Sequence, residues 1–191
     1  MVDTPAADEA APEPADPEPA PPALRHGVPV AEAPGTAVLH PTREQLAEVV
    51  EALYADGYLM CIDVTVVDYL TFGRRTAAEG DILSTERTLP GGLAPERFEV
   101  VYHFLRHADH DRVRLRVQVP ESDPTVVSLF DRYPGTEAME REAFDMFGVR
   151  FDGHPDLTRI LMPEDWVGHP LRKDYASGRI PVQFKASADE R

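Results

Sequence analysis

Phe98–Val119, FEVVYHFLRHADHDRVRLRVQV, contains two runs in which large apolar residues return at every second position. In the first, Phe98, Val100, Tyr102 and Phe104 share one side. In the second, Val113, Leu115, Val117 and Val119 alternate with Arg112, Arg114, Arg116 and Gln118. A period of two is the side-chain period of an extended strand, so both runs are expected as strands, each with one face toward a core. The polar link from His107 to Asp111 is short, and the pair is expected as an antiparallel hairpin whose second strand shows a basic outer face.

Working outward toward the N-terminus, Tyr58–Leu70 is dense in β-branched and aromatic residues and is expected as a further buried strand, with Cys61 in the core. The stretch 72–95 has no periodicity and carries Gly73, Gly80, Pro90, Gly91 and Gly92, which marks a long surface loop. Thr42-Arg-Glu-Gln45 has the pattern of a capping box, and Leu46, Val49, Val50 and Leu53 follow at helical spacing, so a helix is expected over 42–56 with Gly57 as its stop. Residues 1–40 hold Asp3, Asp8, Glu9, Glu13, Asp16, Glu18 and Glu32 against Arg25 alone, with roughly half of the 19 prolines in or beside the stretch. Charge repulsion and missing backbone donors predict a disordered arm, whose functional reading would be a tether or docking segment.

Toward the C-terminus, a short helix is expected over Thr125–Tyr133, and a second over Thr136–Phe147 with Met139, Ala143, Met146 and Phe147 on one side and Gly148 ending it. From Val149 to Arg191 no period persists, although Phe151, Leu157, Ile160, Leu161, Met162, Trp166, Leu171 and Tyr175 stand between prolines and glycines. Each buried anchor contributes roughly 1.5–3 kcal/mol, whereas ordering a residue costs roughly 1–2 kcal/mol. This arm is therefore expected to order only where its backbone finds partners, on its own domain or on another subunit. The fold expected is α+β: a mixed, mainly antiparallel sheet of at least three strands with helices on one face, over 41–148, followed by an extended partner-binding arm over 149–191.

Composition narrows the function. A net charge of −15 gives no basic field for nucleic acid or anionic lipid. The single cysteine cannot form an intrachain disulfide, an iron–sulfur cluster or a multi-cysteine zinc site. No run approaches the ~20 apolar residues of a spanning helix, and the first residues lack the order of a secretory signal. Any membrane attachment is expected to run through another protein.

Three groups of residues invite chemistry. His103, His107 and His110 suggest a metal site, but they fall on strand and turn, with no HExxH pattern to complete them. Glu140, Glu142 and Asp145 suggest paired carboxylates. On a helix, however, Arg141 and Asp145 are expected to form an ordinary i,i+4 ion pair, and Glu140 and Glu142 point apart. His154 and His169 sit in two Gly-His-Pro triplets, which signal sharp turns with the imidazole bonded to backbone as readily as a proton relay. No nucleophile elbow, P-loop or dinucleotide fingerprint occurs.

Read as one string, residues 140–175, EREAFDMFGVRFDGHPDLTRILMPEDWVGHPLRKDY, resemble the signature of the C subunit of NADH:quinone oxidoreductase (respiratory complex I), the 30 kDa subunit family. The matching residues are Glu140, Arg141, Glu142, Asp145 to Gly148, His154, Pro155, Asp156, Leu157, Arg159 to Met162 and Gly168 to Asp174; Asp63 to Thr65, Asp68, Tyr69 and the Phe98–Leu105 run are also similar. The resemblance covers about 42–175. Thr158 departs from it, since the family carries a basic residue or proline there, and the loop 72–95 is longer than the family needs.

The resemblance implies a non-catalytic structural subunit of the peripheral arm of a proton-translocating respiratory-chain complex. It would lie at the cytoplasmic face of the bacterial plasma membrane, packed against the D subunit (the 49 kDa type) and near the B subunit. It implies no cofactor in this chain, with FMN, iron–sulfur clusters and quinone held by partners. Arg141, Glu142 and Asp145 would organise the junction of domain and arm, together with Gly148. His154, Pro155, Asp156, Arg159, Trp166, His169, Arg172, Lys173 and Asp174 would serve along the arm, the charged and polar ones among them as contacts to partner subunits. The alternatives are an equivalent scaffold subunit of a membrane-bound hydrogenase or other quinone-reducing complex, and a free-standing hydrolase using the carboxylates or histidines.

Overall fold

The computed structural model describes residues 23–72 and 87–176. In chain order the elements are β1 (Leu24–Arg25), β2 (Val28–Ala33), β3 (Thr36–Leu39), α1 (Leu46–Ala55), β4 (Met60–Asp68), β5 (Phe98–Arg106), β6 (Asp111–Val119), β7 (Thr125–Val127), α2 (Glu137–Phe147) and β8 (Arg150–Asp152), with single 3-10 turns at Pro90–Gly92 and Pro134–Thr136. Six strands form one mixed sheet in the order β1-β2-β3-β6-β5-β4, antiparallel except where β3 runs parallel to β6.

The expected hairpin is its centre: β5 and β6 pair from Phe98↔Val119 to Arg106↔Asp111. Their alternating apolar residues all face one side, and Phe98, Val100, Tyr102, Phe104, Val113, Leu115, Val117 and Val119 are fully buried there. β4 pairs antiparallel with β5 and adds Val64 and Val66 to the same face, with Cys61 beside them. Both helices cover that face, α1 through Leu46, Val49, Val50 and Leu53 and α2 through Ala143 and Met146. The capping box forms reciprocally, the Thr42 N–H donating to Gln45 Oε1 and the Gln45 N–H to Thr42 Oγ1. Regular α1 nonetheless begins a turn later than expected, at Leu46.

Two expectations are corrected. A disordered arm is expected over 1–40, yet residues 24–39 supply three strands. Val28, Val38 and Leu39 are buried apolar residues, and Gly27 and Gly35, at φ 75° and 74°, close the two tight connections. The Pro- and acid-rich composition belongs to residues 1–22, which lie outside the described residues, as do 73–86 of the long loop and 177–191 of the arm. The helix expected over Thr125–Tyr133 is not formed. Thr125–Val127 is β-branched throughout and pairs in parallel with β8, twenty-five residues on; the chain then turns through Ser128–Tyr133, where the Tyr133 N–H reaches Leu129 O at 2.7 Å.

Candidate partner-binding site

α2 ends where a side chain would not fit. Gly148 takes φ 74°, and a Cβ there would lie 2.5 Å from His169 Nε2 and 2.6 Å from Arg172 Nη2. Through this gap the segment 153–176, which has no helix or strand of its own, folds back along α2.

Asp145 holds it. The expected Arg141–Asp145 ion pair does not exist: Arg141 reaches back to Glu137 at 3.0 Å and across to Thr158, donating to its hydroxyl at 2.9 Å and its carbonyl at 3.2 Å. Asp145 points instead into the arm. Its Oδ2 accepts the backbone N–H groups of Ile160, Leu161 and Met162 at 3.1, 2.8 and 2.8 Å, and Oδ1 accepts Arg159 Nη1 at 2.5 Å. Arg159 also donates to Gly168 O at 3.0 Å, closing the loop between them. The Asp145 side chain is fully buried. Burial would raise its pKa, but the three N–H donors and the guanidinium outweigh that and hold the carboxyl below its ordinary range.

Both Gly-His-Pro histidines tie the arm to α2 backbone. The Asp156 N–H donates to His154 Nδ1 at 3.1 Å, which leaves the proton on Nε2 to donate to Glu137 O at 3.1 Å. His169 uses the other tautomer, with Nδ1–H donating to Asp145 O at 3.0 Å. Burial lowers the His169 pKa, and the nearby Arg172 and Arg159 act in the same direction. Arg172 donates through Nε to Phe147 O at 2.5 Å, and the Leu171 N–H to Met146 O at 3.1 Å.

A second clasp was not singled out from the sequence. Asp68, buried at the end of β4, accepts Arg97 Nε at 3.2 Å, Arg97 Nη2 at 3.0 Å and the Lys173 N–H at 2.9 Å. Arg97 continues to Asp174 at 2.7 Å and to Glu121. Burial raises the Asp68 pKa and these donors lower it by more. The arm is thus fixed at two places 11–13 residues apart, 160–162 and 173. The signal was present only as an Asp at a strand end, which any turn also uses.

The other residues divide simply. Glu140 is fully buried but faces the sheet rather than the arm, accepting from Leu129 N–H at 2.8 Å and bonded to the Ser128 and Thr136 hydroxyls. Burial is the largest influence on it and raises its pKa. Glu142, Pro155, Asp156 and the Lys173 side chain are exposed, and Trp166 is half-buried. Most of the polar groups expected to meet partners, His154, Arg159, His169, Arg172 and Asp174, are therefore engaged inside the chain. What the arm shows outward is apolar: Ile160, Leu161, Val167 and Leu171 are 42%, 59%, 87% and 47% exposed.

Comparison with known proteins supplies the context. The family model for the respiratory-chain NADH dehydrogenase 30 Kd subunit matches residues 39–180. The C subunit of the NADH-quinone oxidoreductase of Saccharopolyspora erythraea is 40% identical over 156 residues, 80% of this chain and 54% of the relative. Its counterpart in Bordetella petrii is 40% identical over 167 residues, 85% of this chain and 77% of the relative. This chain spans about half the length of several relatives that it matches. Among solved structures, a trypsin-resistant fragment of Nqo5 is 31% identical with TM-score 0.54, covering 69% of this chain and 90% of the fragment. A chain of an archaeal respiratory membrane complex, the membrane-bound sulfane sulfur reductase, shares the fold at 18% identity and TM-score 0.53, over 82% of this chain and 85% of that one. With so much of the sequence matched by one family model, and its two-clasp arm built from the matched residues, the chain belongs to the respiratory-chain NADH dehydrogenase 30 Kd subunit family.

Proposed function

We propose that the chain is a non-catalytic structural subunit of the peripheral arm of a proton-translocating NADH:quinone oxidoreductase. In this role it positions neighbouring subunits so that electrons pass from NADH through flavin and iron–sulfur centres to quinone. The partners proposed are the D subunit (49 kDa type) and the B subunit of that complex, and the place is the cytoplasmic face of the bacterial plasma membrane, reached through the complex. Among the described residues no helix is long and apolar enough to cross a membrane. Flavin, clusters and quinone belong to the partners in this reading.

One observation carries the proposal: an irregular segment is locked to its own domain by buried ionic and backbone hydrogen bonds while four large apolar side chains stay exposed along it. Rigid apolar surface of this kind is suited to burial by another chain, and holding it in one shape beforehand lowers the ordering cost of association. A subunit of fixed shape can keep redox centres of its neighbours at fixed separation without itself binding any.

Recovery of a tagged full-length chain from mild-detergent extracts tests this. Co-eluting flavin- and NADH-binding subunits are expected, and the purified chain alone should lack oxidoreductase activity. Co-elution with a nickel–iron subunit would move the chain to a hydrogenase, and a monomer with its own turnover, abolished by Glu142→Gln or His154→Ala, would overturn the structural role.

A further inference from the structure

The basic outer face of β6 has no place in the clasped arm or in the core. Its three arginines differ in their company. Arg116 is paired with the buried Glu99 at 2.7 Å, and Arg87, from the preceding loop, shares that carboxylate at 3.2 Å. Arg112 and Arg114 have no carboxylate within ion-pair distance among the described residues. Arg114 is half-buried, and its Nε is shielded from solvent without a hydrogen-bond partner. The register places His103 beside Arg114 on β5 and Asp63 beyond it on β4. Asp63 is two strand spacings from Arg114, roughly 10 Å, so it faces His103 rather than the guanidinium. Both arginines act on His103 in the direction that lowers its pKa, as expected for uncompensated cations close by.

A partly desolvated guanidinium without a counter-charge is costly, and this one stands in a chain of net charge −15. Carboxylates without cations are concentrated at one place in the sequence: Asp3, Asp8, Glu9, Glu13, Asp16 and Glu18 precede the first basic residue, Arg25. The described chain also begins at the right level. Ala23 O accepts the Val30 N–H, Val30 pairs with Leu39, and Leu39 pairs with Leu115. Ala23 is thus one row from Arg114 and three strand spacings from β6, about 14 Å across the sheet. The five steps from Ala23 back to Glu18 can extend over about 16 Å.

We infer that the acidic segment Asp3–Glu18 docks in cis on the outer face of β6, with its carboxylates on Arg112 and Arg114. The tether raises the local concentration of carboxylates at the patch without any further contact. Docked, the segment covers the one basic area of this sheet face and shields it from other acidic chains. The inference is independent of which complex the protein enters.

The test uses the full-length chain with Ala10→Cys carrying a nitroxide label. Cys61 is buried and its thiol is pushed up to about 12, so the label goes to residue 10. At low salt the amide signals of His103 and Arg112–Arg116 are expected to lose most of their intensity, while those of α1, on the opposite side of the sheet, keep theirs. The loss should disappear at about 0.5 M salt, where charges are screened over a few ångström. It should also disappear when the six acids are changed to Asn or Gln, substitutions that leave the core untouched, and in the Arg112→Glu, Arg114→Glu double variant. Unchanged β6 signals at low salt would overturn the inference, since the patch would then be free or covered by something else. So would a loss that survives neutralisation of the six acids.

Discussion

Asp145 shows how one carboxylate can order a segment that cannot order itself. Three consecutive amides and a guanidinium converge on a side chain with no exposed surface. Removing one partner of a buried pair leaves the other uncompensated, at a cost of about 3–5 kcal/mol. Asp145→Asn keeps the volume but turns an amide donor toward Arg159. It should lower the unfolding free energy by about 3 kcal/mol, read from urea denaturation, and an unchanged midpoint would mean the hub is not structural. Gly148→Ala attacks the same junction from the backbone side. The residue needs φ 74° and the new methyl meets His169 and Arg172, so a loss of at least ~1 kcal/mol is expected. At this scale the sequence marked Asp145, Gly148, Arg159 and both histidines correctly as members of one arrangement. It could not assign the pairs. An i,i+4 Arg–Asp spacing on a helix is a local rule, and the partner that outcompetes it, Arg159, lies fourteen residues away across a turn whose geometry no periodicity encodes.

Elements were legible in proportion to how far their partners are local. The β5–β6 hairpin, β4, α1 and α2 each carry their own period, and all were readable. β7 and β8 are three residues each and exist only because they pair with one another across α2, so a three-residue Thr-Val-Val run was open to a helical reading. β1–β3 were hidden by the composition of residues 1–22, whose prolines and acids were extended too far along the chain.

The arm is an element of a different kind, and its pH dependence follows from its clasps. Asp145 and Asp68 are both held below the ordinary carboxylate range by donors that outweigh burial, and Asp174 is lowered by Arg97. A carboxyl whose folded pKa is depressed stabilises the fold above its unfolded value, about 4. That contribution is lost as pH falls through the folded value. The amides of Ile160–Met162 and Lys173 should therefore be protected from hydrogen exchange near neutrality. They should lose protection below about pH 4 before the β5 and β6 amides do, once exchange is corrected for its intrinsic pH dependence. Glu140 has the opposite sign, because burial raises its pKa, so its ionisation disfavours the fold as pH rises from acid. It cannot account for an acid-induced loss in the arm. Arm amides that remain as protected as the sheet through that range would show that the clasps are not what holds the segment.

For the whole molecule, the division of labour along the arm predicts where assembly can be separated from folding. Polar groups of residues 154–174 are turned inward, and Ile160, Leu161 and Leu171 are turned out. An exposed side chain contributes little to the stability of the free chain, within about 0.5 kcal/mol. Buried under a partner, each of the same three would contribute roughly 1.5–3 kcal/mol, enough together to change association by several orders of magnitude. The triple variant Ile160→Ser, Leu161→Ser, Leu171→Ser should then melt with the parent chain yet be recovered in the multi-subunit complex in a small fraction of the parental amount. Asp145→Asn should show the complementary pattern, with the free chain destabilised first and assembly lost as a consequence, so that lowering the temperature rescues it but does not rescue the triple variant. Normal incorporation of the triple variant would place the partner-binding surface elsewhere on the molecule. A melting loss equal to its assembly loss would return those three side chains to the core of their own domain.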